Sequence, residues 1–285
     1  MKRVFISTGG FHNKTGYEAA KYLLAHDIDS IELSGGMYSK AVEDELIILN
    51  DIANIQIHNY FPTPAYPFVI NIASANPSLR SKSIAHIKNA IVHASKIKNM
   101  RYSFHAGFRV DPTIQEIGGR PTYSKMVNKA NALAIFQDSV LEITEHADKL
   151  GVEILIENNV CNQKALDIFG EVPYLLCAPD EIESFFADSR NKKVSLLMDV
   201  AHLKVSSTVL NFPKQEALEN LSNTISAYHF SDNDGTEDSN NAFSMDSWFC
   251  PYIKSSCDFV TIEVYTEEVE ILKEQMVIAD RILHG

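Results

Sequence analysis

Eight short β-rich runs recur along the 285 residues at a nearly even spacing, with segments of helical period between them. They are Val4 to Thr8, Ser30 to Leu33, Ile55 to Asn59, Tyr102 to His105, Glu153 to Glu157, Val194 to Asp199, Thr224 to Phe230 and Phe259 to Val264. A chain that passes from strand to strand through a helix returns parallel to where it left, so this alternation calls for a parallel sheet covered by helices. Helical candidates include Tyr17 to Ala25, Ser81 to Lys98, Tyr123 to Leu150 and Glu267 to Leu283, with apolar positions three and four apart. Gly151 follows the longest of these where a left-handed cap is expected, and the fifth strand starts at once. No glycine-rich phosphate fingerprint follows the first strand, which argues against an open doubly wound sheet. The pattern therefore predicts one α/β domain over residues 1–285, a single (β/α)8 barrel, and the length suits a fold that needs about 250 residues.

Composition narrows the class of partner. Twenty-five Lys and Arg against 37 Asp and Glu give a formal charge of −12, a field that repels polyanions and makes nucleic acid an unfavourable partner. Cys161, Cys177, Cys250 and Cys257 form no CxxC pair, so they suggest free thiols in a reducing compartment. The opening segment has no signal-peptide core, and no run approaches 18 apolar residues. A cytoplasmic protein without a membrane span is expected.

In a β/α barrel the chemistry sits at the carboxyl ends of the strands. Here IQIHN brings His58, YSFHAG His105, EILIENN Glu157, SLLMDVAH Asp199 and His202, SAYHFSDNDG His229 and Asp232, and FVTIEVY Glu263. Six of the eight strands thus aim an imidazole or a carboxylate at one mouth. A lone strand-end His or Asp is more often a cap or a hydrogen-bonded surface group than a ligand. Glu157 and Glu263 are different, because each interrupts an apolar β run where an uncompensated buried carboxylate costs several kcal/mol. A divalent cation removes that cost, and the mixed N and O donor set suits Mn, Co or Zn, or Mg with waters completing its shell.

Other polar features read more plainly. His86 and His93 are seven residues apart on an outer helix, and His12, His26, His146 and His284 fall in loops or helices, so all are assigned to packing or solvent. The run 232–241 lacks the closing Glu of a calcium loop and is expected to be a flexible loop at the active site. Trp248, Phe249 and Tyr252 in SWFCPY allow two readings, a cover for the mouth or packing beneath the eighth strand.

Taken in order, IENN with Glu157, MDVAH with Asp199 and His202, YHFSDNDG with His229 and Asp232, and IEVY with Glu263 resemble the xylose isomerase-like TIM barrel superfamily over almost the whole chain. That superfamily holds sugar isomerases, ketose 3-epimerases, inosose dehydratases and isomerases, and the endonuclease IV type of abasic-site nuclease. The resemblance implies that Glu157, Asp199, His229 and Glu263 ligate one metal and that His202 contacts substrate. His58 and His105 match histidines that the nuclease branch uses for additional metals, and Asp238 falls at its Asp-x-His pair. Two departures matter. The partner of Asp238 is Asn240, which breaks that pair, and Gly235 stands where the ketose 3-epimerases carry an arginine six residues after the metal-binding histidine.

The first functional expectation is a metal-dependent isomerase or epimerase of a sugar, sugar phosphate or cyclitol. In it Glu157 and Glu263 exchange protons with carbon through a metal-stabilised enediolate, and His58, His105, His202, Asp232 and Asp238 bind substrate or a second ion. A multinuclear phosphodiesterase of the endonuclease IV kind is the alternative, and a barrel that binds a metabolite without catalysis is a third. Barrels of this superfamily often form dimers or tetramers, so the resemblance leaves a homo-oligomer open.

Overall fold

The computed structural model describes residues 3–116 and 125–284. Its strands are β1 (Val4–Ser7), β2 (Ser30–Leu33), β3 (Asn54–His58), β4 (Arg101–His105), β5 (Glu153–Glu157), β6 (Val194–Asp199), β7 (Ile225–Phe230) and β8 (Phe259–Ile262). Each pairs in parallel with the next, and β8 pairs with β1, so the sheet closes into a barrel. The strands coincide with the eight sequence runs to within two residues at either end. The helices among the described residues are α1 (Gly16–Leu24), α2 (Val42–Ile52), α3 (Pro77–Ala94), α4 (Lys129–Leu150), α5 (Gln163–Phe169), α6 (Pro179–Ala187), α7 (Val200–Leu210), α8 (Lys214–Leu221) and α9 (Val269–His284). None is long and apolar enough to cross a membrane.

Capping explains where the helices depart from the sequence reading. Helix α3 starts at Pro77 rather than Ser81, because the Asn76 side chain accepts from the amides of Ser78 and Leu79 and Pro77 has no amide hydrogen to leave unpaired. Helix α4 starts at Lys129 behind Asn128, which caps Ala130 and Asn131, whereas the expected start at Tyr123 lies outside the described residues. At its other end Gly151 takes a φ of 69°, the left-handed cap expected of it. Helices α2 and α5 to α8 complete the other crossovers; most are too short for periodicity to reveal.

Side-chain alternation then separates two cores. Outward-facing residues such as Ile6, Ile31, Ile57, Phe104, Ile156, Met198 and Tyr228 join the helices in the large core. Inside the barrel, Phe5, Leu155, Leu197, Ala227 and Phe259 form a separate apolar plug. Two residues further along the same faces stand Ser7, Glu157, Asp199, His229 and Thr261, with Glu263 two beyond Thr261. The period of two that buries the plug therefore delivers polar groups to the mouth directly above it.

Close approach constrains the loop after β4. A Cβ at Gly107 would lie 2.4 Å from the Ala73 Cβ and 3.1 Å from its amide nitrogen, and neither atom can swing aside as the end of a long side chain could. Gly107→Ala is expected to cost about 1–3 kcal/mol, read as a lowered Tm, and Ala73→Gly in the same chain should restore much of it. An unchanged Tm in Gly107→Ala would show that the loop yields freely.

Candidate functional site

The buried carboxylate of Glu157, at the end of β5, is the point on which the mouth converges. Its Oε2 lies 3.3 Å from His58 Nε2 and 3.2 Å from His105 Nδ1, while Oε1 lies 3.2 Å from His229 Nδ1 and 3.7 Å from His202 Nδ1. His229 Nδ1 is also 2.9 Å from Glu263 Oε2. Asp199 spends Oδ1 on the amide of His202, at 2.7 Å, and leaves Oδ2 without a partner. Glu157, Asp199, His229 and Glu263 each offer one donor atom, all within 4.8 Å of one another. His58, His105 and Glu157 make a second such group, so Glu157 belongs to both, and Glu32, His58 and His229 make a third deeper in the barrel.

The donors fit a divalent cation. Both oxygens of Glu157, Asp199 Oδ2 and both ring nitrogens of His229 are buried, and their close approaches lack hydrogen-bond geometry. Buried polar atoms in that condition cost free energy unless something else satisfies them. Two carboxylates and a histidine around a shared space, with a third carboxylate at its edge, are a ligand set for a hard or borderline ion.

Protons shared among these groups balance their charges. Burial favours the neutral acid of Glu157, but the imidazoles of His105, His229 and His58 overcome it and hold the carboxyl well below its usual range. Burial likewise works against a charged His229, yet Glu32, Glu157 and Glu263 keep it protonated well above the usual imidazole range. Asp199 goes the other way: burial, with the carboxylates of Asp238, Glu157 and Glu263, pushes it up to about 7 against the pull of His202.

Three residues that the sequence reading did not select position these groups. Glu32 on β2 is fully buried, and its Oε2 accepts from Gln56 Nε2 at 2.7 Å and Thr261 Oγ1 at 2.9 Å. Its Oε1 lies 3.2 Å from His229 Nε2, which favours a proton on that nitrogen and leaves Nδ1 for a metal. Asn158 accepts from the Asp199 amide at 2.7 Å and donates to its carbonyl, fixing the end of β6. Tyr265 donates to Glu263 Oε1 at 3.3 Å, which leaves Oε2 turned towards His229. Glu32 carried the same signal as Glu157, a carboxylate inside a β run.

The remaining candidates divide. His202 has both nitrogens engaged, Nδ1 by the Asn158 carbonyl at 2.8 Å and Nε2 by Asp238 Oδ2 at 3.1 Å, and Asp238 keeps a buried, unpartnered Oδ1. Asp232 is not brought into any of the three donor groups: it holds Lys204 Nζ and the Ser247 hydroxyl, each at 2.7 Å. The loop after β7, expected to be flexible, is cross-braced by reciprocal backbone bonds between Asp232 and Asn241. Phe249 is fully buried against Phe230, Phe243 and Trp248, so that aromatic stretch packs against β7 rather than covering the mouth. Of the histidines assigned to packing, His93 is buried, and His86 stacks on Tyr60 with burial lowering it to about 4.

The family model described as "Xylose isomerase-like TIM barrel" matches residues 17–260. The chain belongs to this family. Solved structures with the same fold include a D-tagatose 3-epimerase-like protein at 19% identity and a TM-score of 0.69, covering 98% of this chain and 99% of that one. D-psicose 3-epimerase from Clostridium cellulolyticum H10, solved with D-tagatose, is 12% identical with a TM-score of 0.67 over 99% and 98%. The TTHB071 protein from Thermus thermophilus, soaked with ZnCl2, is 16% identical with a TM-score of 0.62 over 98% of each chain. No curated protein matches the sequence. At these identities the likeness shows a shared fold.

This geometry has two measurable consequences. Glu32→Gln should weaken divalent-metal affinity by about 10- to 100-fold with little change in Tm, measured by competition with a chelating dye; wild-type affinity would remove the positioning role. An ion taken up by this donor set would displace protons from Asp199 and His229, so affinity should rise as pH increases through 7, by about tenfold per unit for each proton released. Titration calorimetry in buffers of different ionisation enthalpy counts those protons, and a flat profile between pH 6 and 8 would contradict the charge balance.

Proposed function

We propose that the protein is a divalent-metal-dependent isomerase or epimerase that moves a proton at carbon in a polyhydroxy carbonyl compound such as a sugar or cyclitol. The observation that carries this reading is the pair Glu157 and Glu263. Both are buried, they approach His229 Nδ1 to 3.2 and 2.9 Å, and they come from strands three apart round the barrel. Carboxylates set on two sides of one pocket can serve the two halves of a proton transfer.

Glu157, Asp199, His229 and Glu263 would hold the ion, which when bound polarises a carbonyl and its neighbouring hydroxyl and so acidifies the C–H bond between them. One glutamate takes that proton, and the other returns one to the adjacent carbon or to the opposite face, by enediolate chemistry. Asp238 Oδ1, buried and unpartnered, is available to accept from a substrate hydroxyl, and Asp238 Oδ2 secures His202 beside it. The plug of Phe5, Leu155, Leu197, Ala227 and Phe259 closes the barrel beneath the site and keeps bulk water from reaching it from below.

A specific observation keeps phosphodiester cleavage as a second reading: His58, His105 and Glu157 form another donor group sharing Glu157 with the first, the arrangement a two-metal site requires. Against it, Asn240 is buried and accepts from the Ser231 hydroxyl at 3.2 Å, so it serves the loop and not an ion. The net charge of −12 also opposes a polyanionic substrate.

Metal-loaded protein incubated in D2O with a panel of ketoses, aldoses and cyclitols is expected to place deuterium at one carbon. Glu157→Gln and Glu263→Gln should each lower that exchange by about 100-fold or more, and Glu157→Gln should also lose bound metal. Full exchange in either variant would sink the mechanism. Two or three ions per chain with cleavage of abasic-site DNA would transfer the assignment to the phosphodiesterase.

A further inference from the structure

A cavity of about 460 Å³ opens beside the donor groups on the side of His105, His202 and Asp238, between the loops that follow β4 and β5. Cavities of about 300–1,000 Å³ accommodate ligands of drug size, so this one has room beyond a sugar ring held at the carboxylates. Its far wall is apolar. Ala165, Ile168 and Phe169 share one face of α5 by their spacing, and Phe108 and Val110 stand in the loop after β4. Phe108 packs edge-on against Tyr174 at 5.4 Å, which fixes both rings as part of that wall.

The polar groups among the lining residues are largely committed to the protein. Asn159 donates to the carbonyls of Ala106, Gly107 and Leu175. Asn162 caps α5 through Oδ1 and donates to Glu237 at 2.8 Å. Among the described lining residues the charged groups, histidines aside, are the carboxylates of Glu116, Glu237 and Asp238 against the single lysine Lys164, a balance that disfavours phosphate. A free monosaccharide would leave this surface wet, and a phosphorylated one would meet repulsion.

We propose that the cavity is a subsite for an uncharged apolar group, aromatic or alkyl, joined covalently to the polyhydroxy part of the substrate. The substrate is then a glycoside-like conjugate rather than a free or phosphorylated sugar. This rests on the isomerase or epimerase reading for what happens at the polyhydroxy end, while the subsite itself can be tested by binding alone.

The probes are matched phenyl and methyl glycosides of several hexoses, together with hexose 6-phosphates, titrated calorimetrically into the metal-loaded protein. Burying the ring against α5 should make at least one phenyl glycoside bind about 10- to 100-fold tighter than its methyl partner. Ile168→Gln and Phe169→Gln, at half-buried positions outside the donor groups, should each erase most of that preference with metal content unchanged. Two variants guard against one failing to fold. No difference between phenyl and methyl partners, or tighter binding of a hexose 6-phosphate, would overturn the subsite even with metal binding and deuterium exchange intact. A phenyl preference that persists without metal uptake or exchange would uphold the subsite and count against the catalytic reading instead.

Discussion

The mouth of this barrel is organised round one buried carboxylate. Glu157 has no exposed surface, and four imidazoles lie within 3.7 Å of its oxygens. An unpaired carboxylate in that position would cost several kcal/mol, so the surrounding strands must each bring a compensating group. Register makes this possible: His105 pairs with Glu157 across β4 and β5, and Asp199 pairs with His229 across β6 and β7. A slip of one residue in either pair would turn those side chains into the helical layer. The convergence at the mouth therefore depends on a closed sheet held in this register.

Below and around that cluster lies a layer whose role is orientation. Glu32 is tied by Gln56 and Thr261 before it meets His229, and Ser103 meets His58 Nδ1 at 2.9 Å, leaving Nε2 towards Glu157. Tyr265 occupies one oxygen of Glu263, and Asn158 braces the backbone of Asp199. The contacts to Glu263 and His58 use the side-chain atom that faces away from the shared space and leave the other atom turned towards it. The same economy explains why so many inward atoms lack hydrogen bonds.

The two donor groups that share Glu157 give the site two chemical possibilities from one framework. The group with Asp199, His229 and Glu263 is rich in carboxylates, whereas His58 and His105 bring imidazoles to the other side of Glu157. His105 also borders the cavity, so the apolar volume adjoins the imidazole side of the mouth. A substrate reaching from cavity to carboxylates would pass from apolar surroundings to strongly charged ones, which matches a molecule with unlike ends.

The barrel, and most of the side chains that converge at its mouth, are legible in the sequence. A period of two along each strand decides which residues face inward, and the polar residue that ends an apolar run, as Glu157 does in EILIE, marks the mouth. Glu32 escaped because its run, SIEL, is four residues long with only two apolar residues, so the carboxylate stands out less there than in EILIE. Asp232 showed the limit of such signals from the other side: it follows a strand as the other candidates do, yet pairing with Asn241 and the nearby Lys204 turned it to a structural task. Local periodicity encodes a side chain's face but not its neighbours across the ring. Those neighbours, 229 residues apart for Glu32 and Thr261, and the cavity between the β4 and β5 loops were decided only when closure of the sheet brought distant strands together.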